Sequence, residues 1–245
     1  MDEALELASY LPVSYKSPKE EEYIKFLWEA FDTNYRHGKY QFAFLAYHML
    51  TMSFVYFNIW QIKQTREADF KMGSIGFAKD EKTLLKATSP FMFSTVNERS
   101  ILRFLKLIQC DNSKIGTYVK LVDDRNQTAH PNGNIFFSTE AALAIKVREV
   151  LRVVSEIQGH SKDVVTSFYR DFLLRKPKEE DWEYSDAIDQ VRELLVHETY
   201  CSLQDIKFCA DFDVTVLSAE ANYQQAQALH AALLQNYGSD LEALQ

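Results

Sequence analysis

From Lys39 to Phe70 the chain holds no Gly and no Pro, and from Phe42 to Trp60 it holds no Lys, Arg, Asp or Glu. A stretch with neither breakers nor charges is a long helix, apolar on nearly every face. Such a helix belongs either in a bilayer or at the centre of a helical bundle. His48, Thr51, Ser53 and Asn58 dilute the run, and basic residues flank both ends rather than one. It is therefore read as a bundle core helix, or as part of a dimer interface, and no membrane partner is expected.

The neighbouring segments supply helices to surround it. Ser17-Pro18-Lys19-Glu20 places a capping Ser before a Pro at the first helical position, and Gly38 marks the stop. Between them Tyr23, Phe26, Leu27, Ala30 and Phe31 recur at helical spacing. A short helix is expected over 80–87. Thr95-Val96-Asn97-Glu98 reads as a capping box opening a helix to about Gln109, and another helix runs from Lys114. Ser138 or Thr139 caps a helix that Gly159 should end, and further helices are expected over 161–174, 181–200, from Leu203, and over 219–236, the last stopped by Gly238. Strand patterns are almost absent; Val214 to Leu217 is too short to count. The expected fold class is all-α. Residues 1–176 would form a helical domain with its core over about 18–158, and 177–245 a helical extension.

Charge is divided unevenly. Residues 177–245 carry 14 acidic side chains against 3 basic ones, whereas 1–176 carry 24 basic against 21 acidic. The net charge of −8 therefore does not exclude a nucleic-acid substrate, since phosphate contact depends on local Lys and Arg. The extension is either a solvated set of packing helices or an acidic surface that masks a basic one or docks a basic partner. Leu194, Leu195, Leu229, Leu233 and Leu234 recur at helical spacing, which argues against a disordered tail. Cys110, Cys201 and Cys209 show no paired spacing and read as reduced thiols, and the acidic start lacks the basic region of a signal peptide. A cytoplasmic location is expected.

Arg125-Asn126-Gln127-Thr128-Ala129-His130 lies between two apolar helical runs and leads into Pro131-Asn132-Gly133. A permanent cation and a group that exchanges protons near neutral pH, directed into one crevice, suit work on a phosphodiester. The plain alternative is a helix end whose Arg pairs with Asp123 or Asp124 and whose His is solvated. Lys146, Arg148 and Arg152 on the next helix are either a solvated face or a track for an RNA backbone. His48 reads as a hydrogen-bonded interior residue, whereas His37, His160 and His230 read as solvated. His197-Glu198 begins like a zinc-protease signature, but the second His position holds Cys201 and a third ligand is not evident.

The run from Leu121 to Pro131 resembles the HEPN family, in which an Arg, a polar residue that is often Asn, and a His four to six residues on form a shared motif. The resemblance covers roughly residues 18–158 and is specific only in its Arg-Asn...His core. It implies an antiparallel helical bundle and a metal-independent ribonuclease, with no cofactor, in which Arg125, Asn126 and His130 are catalytic. It also implies a homodimer with the two motifs facing each other, acting on RNA as a toxin or defence effector that an antitoxin or regulatory partner could restrain. Some members have lost catalysis, so a non-catalytic module binding nucleotide, RNA or a partner is the alternative. One toxin branch carries a Tyr two positions after the His; Asn132 stands there in this chain.

Overall fold

Ser17 opens the first long helix with its side chain, accepting a hydrogen bond from the Lys19 N–H at 3.3 Å, and Pro18 takes the first helical position. In this computed structural model, which describes residues 1–77, 80–131, 133–175 and 184–244, the chain is all-α: among the described residues there is no strand, only an isolated bridge between Pro12 and Ser202. The helices are α1 (Asp2–Leu5), α2 (Pro18–Arg36), α3 (Tyr40–Thr65), α4 (Glu67–Ser74), α5 (Glu81–Lys86), α6 (Glu98–Ile101), α7 (Asn112–Ala129), α8 (Glu140–Leu174), α9 (Ala187–Gln190), α10 (Leu203–Ala210) and α11 (Tyr223–Glu242), joined in places by 3₁₀ turns. Asn132 and the expected boundary at 176/177 lie outside the described residues.

Two compact units emerge. The first comprises residues 1–8 and 17–161, the second residues 9–16 and 162–245. In the first, α3 is the central element. It is long and apolar enough to cross a membrane, but 83% of its most apolar window is buried within the protein. Three of its polar residues donate along the helix itself. Thr51 donates to the Tyr47 carbonyl at 2.9 Å, Ser53 to that of Met49 at 2.9 Å, and Asn58 to that of Phe54 at 3.2 Å. That is how a helix can bury hydroxyls without orphaned donors. Against it pack the α2 rings, with Phe31 and Tyr47 centroids 5.3 Å apart, and Phe93 lies 6.2 Å from Trp60.

Four helix ends differ from the sequence expectation. The helix from Lys39 does not reach Phe70 unbroken: Arg66 leaves helical geometry (φ −125°, ψ 53°) and donates to the Leu107 carbonyl at 2.6 Å, so that α4 turns to stack Phe70 on Phe104 at 4.5 Å. The cap before Glu98 is Asn97, which accepts from the Arg99 N–H at 3.0 Å, rather than Thr95. Gly159 does not end α8, nor Gly238 α11. A helical Gly costs only about 1 kcal/mol relative to Ala, and the burial of Val153, Val154, Ile157, Val164 and Val165 around it outweighs that. By contrast Gly38 (φ +66°) does stop α2, where a left-handed residue is required.

In the second unit Val165, Tyr169, Phe172 and Leu173 of α8 join Leu195, Ile206, Leu229 and Leu233 in one core. The acidic segment thus packs into a core that it shares with the end of α8. Leu234 is exposed and Leu194 only partly buried. Residues 9–16 are tied in by the bond from the Val13 N–H to the Cys201 carbonyl at 2.9 Å. Val214–Leu217 is a 3₁₀ turn.

Candidate functional site

Asp111 caps α7 by accepting from the Lys114 N–H at 2.9 Å, and Ile115, Tyr118, Leu121 and Val122 bury one face of it. That register brings the remaining face of the last two turns to the surface, with Arg125 and Asn126 half-buried and His130 exposed. The end of the helix is held by one side chain of α3. The Gln41 amide donates to the Thr128 carbonyl at 2.9 Å and accepts from the Phe136 N–H at 3.0 Å, bracketing the turn that follows the motif.

Arg125 is not paired with Asp123 or Asp124. Its Nη2 donates to Oε2 of Glu98 at 2.5 Å, and the same oxygen lies 3.3 Å from Nε2 of the buried His48. Asp123 pairs with Arg99 and Asp124 with Lys146 at 2.7 Å. Burial pushes the Glu98 carboxyl up, but the hydrogen bonds and charges of His48 and Arg125 outweigh it and hold the group below its ordinary value. Glu98 is therefore ionised at neutral pH and fixes the guanidinium through one of its five donors.

The pair lies at the wall of a cavity of about 810 Å³ in the first unit. Arg125, Glu98 and Lys19 supply charge to its wall, and Tyr23, Tyr56 and Phe91 supply aromatic surface. Met49 and Met52 add thioethers, and Ser17, Ser53, Ser89 and Thr95 add hydroxyls. Glu20 is also in the wall, accepting from the Ser89 hydroxyl at 2.6 Å. Burial, followed by the Glu98 charge, raises the Tyr56 phenol far above its ordinary range, so this hydroxyl is a neutral donor.

The motif residues do not all converge there. His130 caps the helix with extended backbone (φ −80°, ψ 140°), its N–H bonding the Asn126 carbonyl at 3.1 Å, and it is not among the residues lining the cavity. Five helical positions correspond to a rotation of about 140°, so Arg125 and His130 leave α7 in different directions. Of the three basic residues on α8, Lys146 is already engaged, 2.7 Å from Asp124 and 2.5 Å from Glu149, with only 16% of its side chain exposed. Arg148 pairs with Glu3 at 3.1 Å, and Arg152 is exposed.

Elsewhere, His160 accompanies the Lys114–Glu156 ion pair, with its Nε2 2.9 Å from Lys114 Nζ, rather than standing free in solvent. His230 meets the Tyr169 hydroxyl at 2.8 Å, and burial lowers its pKa. His197 contacts the Ser14 hydroxyl at 3.2 Å, and Glu198 pairs with Lys16. The three cysteines are free and buried; burial pushes the Cys110 thiol up to about 11 and holds Cys201 and Cys209 well above the ordinary thiol value. Among the described residues no three His, Cys, Asp or Glu side chains are grouped as metal ligands.

No protein-family model matches this sequence, and no curated protein or solved structure is detectably similar to it. Two residues of the site escape the sequence pattern: His48, which reads as an interior residue, and Glu98, which a local capping motif already explains. Glu98 lies 50 positions from His48 and 27 from Arg125, so the contact in which it joins them becomes visible only in the fold.

Proposed function

We propose that the chain is an endoribonuclease of HEPN type, working without a metal as a homodimer, in the cytoplasm, as a toxin or defence effector. The observation that carries this reading is the end of α7. Arg125 is locked by Glu98 at the wall of a ligand-sized cavity, while His130, one turn on, is left open to solvent. His130 would take the proton from a ribose 2′-hydroxyl as O2′ bonds to phosphorus. Arg125 would hold the non-bridging oxygens of the pentacoordinate phosphorane. The P–O5′ bond then breaks, and the leaving O5′ accepts a proton from the His130 of the second copy. The products are a 2′,3′-cyclic phosphate and a 5′-hydroxyl. Two chains are needed because one His cannot be base and acid in the same step, and a two-fold axis brings a pair together.

The test is cleavage of total RNA, tRNA and mRNA in the presence of a chelator, comparing wild type with His130→Ala and Arg125→Ala. Each substitution should cost about 10²–10⁴ in rate. Cleavage that needs added divalent metal, or that survives His130→Ala, overturns the mechanism. A second reading is favoured by a specific observation. Arg125 already has an anionic partner and His130 lies outside the cavity wall, as suits a non-catalytic module whose Arg anchors phosphate. RNA binding without cleavage in both wild type and His130→Ala would select it.

A further inference from the structure

The cavity offers more than a place for a phosphate. Both donors that hold Glu98, the His48 ring and the Arg125 guanidinium, converge on its Oε2. Oε1 keeps its acceptor lone pairs, on a carboxylate that stays charged and lines a cavity of about 810 Å³. Beside it Tyr23 and Phe91 meet edge to face at 5.3 Å, and Met49 and Met52 supply polarisable surface to a planar ring. A ligand matched to this wall is planar and aromatic, carries an anion for the rest of the Arg125 fork, and presents an N–H donor to Glu98.

We propose that the cavity takes one unpaired nucleotide of the RNA and selects a base bearing an exocyclic amine (adenine, guanine or cytosine) against uracil. The occupant's class rests on the ribonuclease reading. The selection rests on the chemistry of the wall. A carboxylate can only accept, so an amine on the base edge satisfies it, whereas uracil presents two carbonyl oxygens flanking its one N–H. A carbonyl set against a half-buried carboxylate leaves both acceptors unpaired, and that mismatch costs more than a missing contact in water. The serine and threonine hydroxyls can turn to serve either donor or acceptor and so do not discriminate. Aromatic stacking likewise accepts every base. Of the two carboxylates in the wall, Glu20 already accepts from the Ser89 hydroxyl at 2.6 Å, which leaves Glu98 to read the base edge while it holds the arginine that binds the neighbouring phosphate.

The experiment is calorimetric titration of the full chain with AMP, GMP, CMP, UMP and inorganic phosphate. The three amine-bearing nucleotides should bind about tenfold or more tighter than UMP, from one charge-assisted hydrogen bond. Glu98→Gln should collapse that ratio to near unity, because an amide can donate to a carbonyl as well as accept. Any effect of this substitution on phosphate binding is shared by all four nucleotides and cancels in the ratio. Met49 is 42% exposed, so Met49→Trp should fill the cavity without harming the core and should bring all four nucleotides down to the affinity of phosphate alone. UMP binding as tightly as the others, nucleotides binding no better than phosphate, or an unaffected Met49→Trp protein each overturn the inference. The two readings fail separately. RNA cut in a His130-dependent way with no nucleotide preference removes the pocket and keeps the nuclease. The amine preference with no RNA cut keeps the pocket and removes the nuclease.

Discussion

Replacing Glu98 with Gln removes one negative charge from between His48 and Arg125 while leaving the side-chain shape almost unchanged. Two unit charges about 4 Å apart attract by about 4 kcal/mol at an effective dielectric constant near 20. Desolvating both partners cancels much of this. The side chains of Glu98 and Arg125 are 20% and 30% exposed, so screening is partial rather than complete. A net loss of roughly 1–3 kcal/mol is expected, in line with hydrogen bonds to charged groups. For a chain of this length that lowers Tm by roughly 3–10 °C, measured by circular dichroism at pH 7. The sign of the pH dependence is fixed by the lowered carboxyl of Glu98. Its contribution is fully present above the ordinary carboxylate value of 4.5 and is lost as pH falls through the lower folded value. The gap between wild type and variant should therefore hold steady above about pH 5 and close in the acid range. Equal melting temperatures at pH 7, or a gap that widens on acidification, would refute the argument that this pair is a stabilising, ionised one.

Three other expectations concern neighbouring features. Gly159→Ala should stabilise the protein by about 0.5–1 kcal/mol, because the added methyl meets nothing within 4 Å in the middle of α8; a lower denaturation midpoint would contradict the helical account. His230 has its pKa lowered by burial, so the unfolded chain binds more protons below the ordinary value of 6.5 and stability should fall as pH drops through that region. His230→Gln should flatten this part of the Tm–pH curve, and an unchanged slope would place the titrating group elsewhere. If α8 follows the RNA backbone, Arg152→Ala should reduce the slope of log affinity against log salt by about 1. Lys146→Ala, whose ammonium is already neutralised by Asp124 and Glu149, should instead reduce stability.

What could be read ahead of the structure was whatever is decided within a few residues. The Ser17 cap, the Gly38 stop and the Thr139 cap, which accepts from Ala142 N–H at 3.2 Å, each need only their own turn of helix. The burial of α3 was legible too, since a run without charges that His48, Thr51, Ser53 and Asn58 dilute suits a bundle core better than a bilayer. Errors came where distant residues decide. The break at Arg66 exists because a carbonyl 41 positions away accepts its guanidinium. Gly159 stays helical because apolar neighbours on both sides are buried on one face. The plain alternative for Arg125, a pair with an adjacent aspartate, is not what forms, because Lys146 and Arg99 occupy those carboxylates and Glu98 is left to take it. The motif itself was visible as a string, but which of its side chains meets the cavity depends on helix register and on the Gln41 amide.

Residues 9–16 belong to the second unit, although nearly all of that unit is encoded after residue 161. Lys16 and its partner Glu198 are 182 positions apart. A ribosome adding about 5–20 residues per second would need roughly 10–40 s between making the first and the second. During that interval residues 9–16, with Tyr10 and Leu11 that end up buried, have no unit to join. The first unit can fold once residue 161 has emerged, whereas the second must wait for the residues after it and then recover a segment made before most of the first unit. Its assembly therefore comes after that of the first unit in the synthesis of each new molecule.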